Sequence, residues 1–263
     1  QVFVVSSSWF LRPEDVPAPP FWGARTVPGL ALDEVFPRIN EARLFRVSWG
    51  GATQRGPGWK QLRGEFSARF ERMKNEAIDQ RWLVPQAVYG YFPAQSDGNE
   101  LVVFDPEDRG RVLVRLAFPR QKDEGRLCLA DYFLPVGSPA HDVVAVQVVT
   151  VGAAATERFD AMDGKNAYSE AYFSHGLAVR TAEAATEIVF DRIRTDLGLS
   201  SPRGVRFAWG FGALPDVEEH RKVFQILPAE RDLGMSLTSA GQLIPEQSTA
   251  TLVVHHPEAH YFN

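Results

Sequence analysis

Between Gly64 and Trp82 the apolar residues Phe66, Phe70, Met73, Ala77 and Ile78 recur at mostly three- and four-residue spacings. That periodicity places them on one face of a helix of roughly four to five turns. The pattern then changes to short apolar or alternating runs at Ala87 to Phe92, Leu101 to Phe104, Val112 to Phe118 and Val143 to Val151. Turn-formers such as Ser96-Asp97-Gly98-Asn99 and Asp108-Arg109-Gly110 separate them, so they read as strands, several joined by tight turns. A helical tract follows from about Thr156 to Leu197, carrying Leu177, Ala178, Ala182, Ala185, Ile188, Val189 and Ile193 and stopping at Gly198. Gly164 and Gly176 are the places where it can divide in two. A further helix opens at Asp216, where Asp216 and Glu219 have capping-box spacing and Val217, Phe224 and Leu227 share a side before Pro228. Ala250 to Val254 reads as a last strand. Hairpins followed by helices predict an α+β fold: a largely antiparallel twisted sheet with flanking long helices, in a single domain.

Residues 1–20 interrupt that order. Pro13, Pro17, Pro19 and Pro20 give them the character of an extended interdomain linker, expected to be dispensable for folding, ahead of one domain over 21–263. The chain opens on Gln1, and QVFVVSSSWF has neither the basic region nor the cleavage site of a signal peptide, so it reads as a piece of a longer protein. With 44% apolar residues among 263, including 18 Phe and 6 Trp, a packed core is assured and wholesale disorder excluded. The net charge of −5 comes with no basic block, which argues against nucleic acid and against polybasic membrane attachment. No apolar run approaches the ~18 residues of a spanning helix. The single cysteine, Cys128, sits in an apolar run as a core thiol, and one cysteine fits a reducing, cytoplasmic setting.

Candidate chemistry is sparse. Gly210-x-Gly212 has Pro215 where a dinucleotide loop needs its third glycine. Arg206 ahead of those glycines offers a planar fork for a carboxylate next to backbone that a ligand can approach closely, although a plain surface arginine before a turn reads equally well. Glu183 and Glu187 lie one turn apart among alanines that leave room for a ligand, or form an ordinary solvated face. His256 and His260 have a helical metal-ligand spacing, but Pro257 between them makes loop histidines the expected reading for His255, His256 and His260. There is no nucleophile elbow, phosphate loop or His-Glu-x-x-His pair. The residues alone describe a ligand-binding α+β domain.

A set of segments in shared order adds to this: Pro19-Pro20-Phe21-Trp22-Gly23, Leu44-Phe45 with Trp49, Gly90-Tyr91-Phe92-Pro93-Ala94 and Cys128-Leu129-Ala130-Asp131-Tyr132. They continue with His175-Gly176-Leu177-Ala178, Ala182-Glu183-Ala184, Arg192-Ile193-Arg194 and Arg203-Gly204-Val205-Arg206 with Gly210. Gly234-Met235-Ser236-Leu237-Thr238 and His256-Pro257-Glu258-Ala259-His260-Tyr261 close the series. Over most of its length the chain resembles the S-adenosylmethionine-binding activation domain of cobalamin-dependent methionine synthase. The resemblance implies a cytoplasmic methyltransferase module of methionine biosynthesis, inactive alone. Such a module presents the methyl group of S-adenosylmethionine for reductive methylation of inactive cob(II)alamin, with an electron from flavodoxin or a similar donor. It implies a monomer that docks on a preceding cobalamin-binding domain of the same polypeptide, to which residues 1–20 would be the linker; the residues themselves give no metal site. An S-adenosylmethionine-binding regulatory or interaction module without a catalytic role is the alternative.

By motif position, Arg206 would clamp the ligand carboxylate with the Tyr261 hydroxyl as second donor, and Glu183 would face the positive methionyl end. The backbone around Phe207 and Ala208, with Gly210 beyond, would meet the adenine. Asn40 falls where some members have an ammonium-accepting Asp; anchoring the match on Trp49 shifts that position to Glu41. Phe211 replaces a frequent Tyr, and Leu214 a frequent Cys.

Overall fold

The computed structural model describes residues 11–122, 125–163 and 168–262. In chain order, strand β1 (Gly23–Val27) leads through short helices α1 (Leu32–Val35) and α2 (Glu41–Arg43) to the long helix α3 (Gly56–Gln80). Strands β2 (Gln86–Asp97), β3 (Glu100–Phe104), β4 (Val112–Ala117) and β5 (Asp142–Thr150) follow, then helices α4 (Ala154–Asp163) and α5 (Tyr168–Asp196). After β6 (Val205–Ala208) come helices α6 (His220–Ile226) and α7 (Ala229–Leu233), a small ribbon of β7 (Ser236–Leu237) with β8 (Leu243–Ile244), and β9 (Ser248–Val254). The main sheet runs β4-β3-β2-β5-β9-β6, with β1 also on β2, and every pairing is antiparallel. The expected α+β class and antiparallel sheet are therefore present.

Strand β5 is buried at all nine positions, because both faces of the sheet are covered. Its odd residues Val143, Ala145 and Val149 join Tyr89 and Tyr91 of β2 beneath the α3 and α5 side, while Val144, Val146 and Val148 join Phe92 and Ala94 on the α6 and α7 side. Two-residue alternation thus builds two cores from one sheet. Gln147, the polar interruption in β5, faces α5, where its Nε2 donates to the Thr186 carbonyl at 3.4 Å.

Helix α5 approaches its neighbours closely at Gly176. A Cβ built there would lie 2.9 Å from Cδ1 of Trp49, whose Nε1 donates to the Phe173 carbonyl at 3.0 Å. Trp49 is nearly fully buried and stacks on Phe45, so it has little space to yield. Gly176→Ala is expected to lower stability by about 1–3 kcal/mol despite alanine's better helix propensity, because overpacking outweighs the propensity gain of about 1 kcal/mol. Chemical denaturation read by tryptophan fluorescence checks this; an unchanged or raised midpoint would show that Trp49 repacks freely.

Several local expectations are corrected. Helix α3 begins at Gly56, eight residues before Gly64, because Pro57 is tolerated in a first turn. Ile78 is 51% exposed, one position off the face made by Phe66, Phe70, Met73 and Ala77. The expected break near Gly164 falls at 164–167, outside the described residues, while Gly176 stays helical within α5. At Asp216 only half of the capping box forms: its Oδ1 accepts from Glu218 N at 2.9 Å, whereas Glu219 turns away to accept from Ala117 N at 3.2 Å. Within the expected linker, Val2 to Phe10 lie outside the described residues, while Val16 packs against the α3 and α5 core.

Candidate functional site

Strand β6 is an edge strand, and its register decides what it can offer. Phe207 pairs with Leu252 and Trp209 N donates to Ala250 O at 3.1 Å, so the odd residues hold the ladder bonds to β9. Arg206 and Ala208 consequently point their backbone N–H and C=O groups away from β9, to an edge that no other strand covers among the described residues. Of the two residues expected to give backbone to a ligand, Ala208 has free groups and Phe207 does not.

The side chains alternate across the same strand. Phe207 is buried on the α6 and α7 side and carries the Tyr261 ring stacked on it, centroids 5.6 Å apart and planes 12° from parallel. The other face of the Tyr261 residue is open, leaving it 55% exposed. Arg206 points to the α5 side, where its Nη2 donates to Glu187 Oε1 at 2.5 Å and its guanidinium lies 5.4 Å from the Phe190 ring centroid. The Arg206 side chain retains 23% exposure, and its Nη1, though shielded, has no acceptor among the described residues. A guanidinium nitrogen left without an acceptor costs on the order of 1–3 kcal/mol. Arginine and tyrosine thus flank one open strand edge from opposite faces.

Beyond Ala208 the chain turns sharply. Gly210 has φ +88°, its N–H donates to Leu214 O at 2.7 Å, and Leu214 N returns a bond to Phe211 O at 2.9 Å. This turn buries Leu214 and pushes Phe211 out to 68% exposure at the tip.

Three carboxylates at four-residue spacing on α5 each face a different arginine. Glu183 accepts from Arg180 Nη1 at 2.7 Å, Glu187 accepts from Arg206, and Asp191 accepts from Arg38 Nη1 at 2.7 Å. Glu183, the residue assigned by motif, pairs within its own helix and stays 44% exposed, and its neighbour Glu187 is the one that meets Arg206. Asn40 is exposed and serves as the N-cap of α2, its Oδ1 accepting from Arg43 N at 3.0 Å. No hydrogen bond joins Asn40 to Arg206 among the described residues.

The C-terminal histidines lie past β9 outside any helix or strand, as expected of loop histidines, but two of them are buried. His255 and His256 are buried at the end of β9; His255 Nε2 lies 2.6 Å from Asp142 Oδ1, and His256 Nδ1 accepts from Glu258 N at 3.0 Å. No group of three or more potential metal ligands exists among the described residues. Cys128 is fully buried and burial pushes its thiol pKa up, which makes it an inert core thiol. No helix among the described residues is long and apolar enough to cross a membrane.

Known proteins share this architecture. A solved structure described as the MetH reactivation domain bound to AdoHcy superposes with a TM-score of 0.83 at 23% identity, covering 99% of this chain and 85% of that one. Methionine synthase of Mycobacterium tuberculosis is 37% identical over 281 aligned residues, and that of Mycobacterium leprae 34%. Each alignment takes in 95% of this chain but only 23% of the relative, so the chain spans about a quarter of those proteins. Residues 64–263 match the family described as vitamin B12 dependent methionine synthase, activation domain. With that match over most of its length, and the edge strand carrying Arg206 inside it, the chain belongs to the family of methionine synthase activation domains.

Proposed function

We propose that this domain binds S-adenosylmethionine along the open edge of β6 and presents its methyl group for reductive methylation of cob(II)alamin. The observation that carries the reading is Arg206: a cation on an uncovered strand edge, with one guanidinium nitrogen lacking an acceptor, beside the free backbone groups of Ala208. A small swing of the guanidinium toward the edge gives a ligand carboxylate a second donor, and the exposed Tyr261 hydroxyl stands ready to add a third. Ala208 offers an N–H and a C=O to the adenine, and the Gly210 turn keeps the approach clear. When bound, S-adenosylmethionine supplies an electrophilic methyl group on a sulfonium.

The cobalamin belongs to another domain of the same polypeptide, consistent with relatives about four times longer. Residues 1–20 are the tether toward that domain, a flavodoxin-type protein is the electron donor, and the domain works as a monomer in the cytoplasm. The Arg206–Glu187 ion pair favours a second reading, in which the arginine is structural and the domain acts only through protein contacts. Calorimetry separates the two. The isolated domain is expected to bind S-adenosylmethionine and S-adenosylhomocysteine with one-to-one stoichiometry and to transfer no methyl group by itself. Absence of binding of either ligand would overturn the first reading and leave a domain acting only through protein contacts; turnover without cobalamin would overturn both.

A further inference from the structure

We propose that Glu187 is a specificity-determining residue that accepts the α-ammonium of the ligand while holding Arg206 for its carboxylate, so that the pair reads an α-amino acid zwitterion. This rests on the S-adenosylmethionine reading above and names the group that reads the amine.

Three observations lead there. First, Glu187 is the middle of the three α5 carboxylates; the outer two, Glu183 and Asp191, are tied to Arg180 and Arg38, whereas Glu187 points to the one arginine that stands on the free strand edge. Second, the pair is under-used. Glu187 is 46% exposed, Arg206 is its sole ion-pair partner among the described residues through Oε1, and Arg206 Nη1 has no acceptor. A half-exposed carboxylate next to a guanidinium whose shielded Nη1 lacks an acceptor offers a negative site and, once the guanidinium turns toward the edge, a positive one beside it. An α-amino acid carries the complementary charges on adjoining atoms, so both halves of the ligand gain charge-assisted hydrogen bonds at once. Third, Asn40 is neutral and already spends its side-chain oxygen on the α2 cap, so it brings no charge to an ammonium.

The pairing also makes chemical sense of Glu187 staying on Arg206 without a ligand. It prevents a partly desolvated guanidinium from standing alone, and it leaves the negative end oriented for the amine.

The test is calorimetric titration of wild type and Glu187→Gln with S-adenosylhomocysteine and with its desamino analogue, the adenosyl thioether of 4-thiobutanoate, which keeps the carboxylate and lacks the amine. S-adenosylhomocysteine avoids the sulfonium charge, so only the amino acid end is compared. Glu187→Gln is expected to weaken S-adenosylhomocysteine about tenfold, the size of one charge-assisted hydrogen bond at a half-exposed site, and to change the desamino analogue less than twofold. Equal weakening of both ligands would overturn the proposal and leave Glu187 as a support for Arg206 alone. Unchanged or tighter binding of S-adenosylhomocysteine would also overturn it, showing that Glu187 only competes for the arginine. Failure of the wild type to bind S-adenosylhomocysteine would instead remove the reading on which the proposal rests.

Discussion

Replacing Arg206 with alanine is expected to weaken S-adenosylmethionine binding by about 30- to 1000-fold, on the order of 2–4 kcal/mol, with little change in melting temperature. The loss is large because the guanidinium sits in a partly desolvated position against the Phe190 ring, where charge-assisted hydrogen bonds are screened less than in open water. The fold tolerates the change because β6 keeps its ladder to β9 through Phe207 and because Glu187, half exposed, is left in contact with solvent. Arg206→Lys is expected to fall between wild type and alanine, since an ammonium keeps the charge and loses the fork. Tyr261→Phe should cost about 1 kcal/mol, one neutral donor, while the ring stays stacked on Phe207. The ranking is what calorimetry checks. Binding by Arg206→Ala within about threefold of wild type, far below a charge-assisted pair, would move the carboxylate clamp elsewhere.

What could be read from the residues followed the strength of their periodicity. Helix α3 and strands β2 to β5 announce themselves because their apolar positions repeat over enough residues to define a face. Strand β6 has four residues, and its sequence Val-Arg-Phe-Ala alternates only once each way, so Arg206 read as a residue before a glycine turn. Strand β1 was hidden in the same manner. It follows a proline-rich stretch, and its place in the sheet depends on Gly90, whose missing Cβ lets the Gly23–Ala24 backbone lie against β2.

The candidate site is legible in its strand and, in its helix, only down to a pair of carboxylates. Motif order led to Arg206, Ala208 and Tyr261, all of which lie at the β6 edge. Spacing on α5 drew attention to Glu183 and Glu187 together, but which of them meets Arg206 is settled by how the helix packs on the sheet, a relation between residues 19 apart that no local pattern encodes. The burial of His255 and His256 is likewise unmarked in the local sequence. Pro257 signals a turn correctly, and the two residues before it lie past the end of β9, yet both are buried there.

The largest effect on stability is expected from that enclosed end. Asp142 and His255 are both essentially without solvent contact, and the carboxylate does three things there: Oδ1 accepts from His255 and from Val143 N at 2.7 Å, and Oδ2 accepts from Leu134 N at 2.9 Å. Asp142→Ala strands a buried imidazole whose Nδ1 already lacks a partner among the described residues, and it strips two backbone N–H groups of their acceptor. Each buried donor left without its acceptor costs about 1–3 kcal/mol, and three lose theirs at once, so the loss is expected at about 3 kcal/mol or more. For a domain of this size that lowers the melting temperature by about 10 °C or more. The His255→Leu change removes the imidazole and leaves the carboxylate with its two backbone donors, so it should cost less than Asp142→Ala. The double variant should cost less than the sum of the singles, by the coupling energy of a contacting pair. Denaturant melts of the four proteins measure this cycle. The damage should also reach the β6 edge, since Arg203 Nη2 donates to the His255 carbonyl at 3.3 Å and Arg203 lies three residues from Arg206. Additive single effects, or a melting point for Asp142→Ala within a degree or two of wild type, would show that the enclosed pair contributes little and that Asp142 is replaceable at the start of β5.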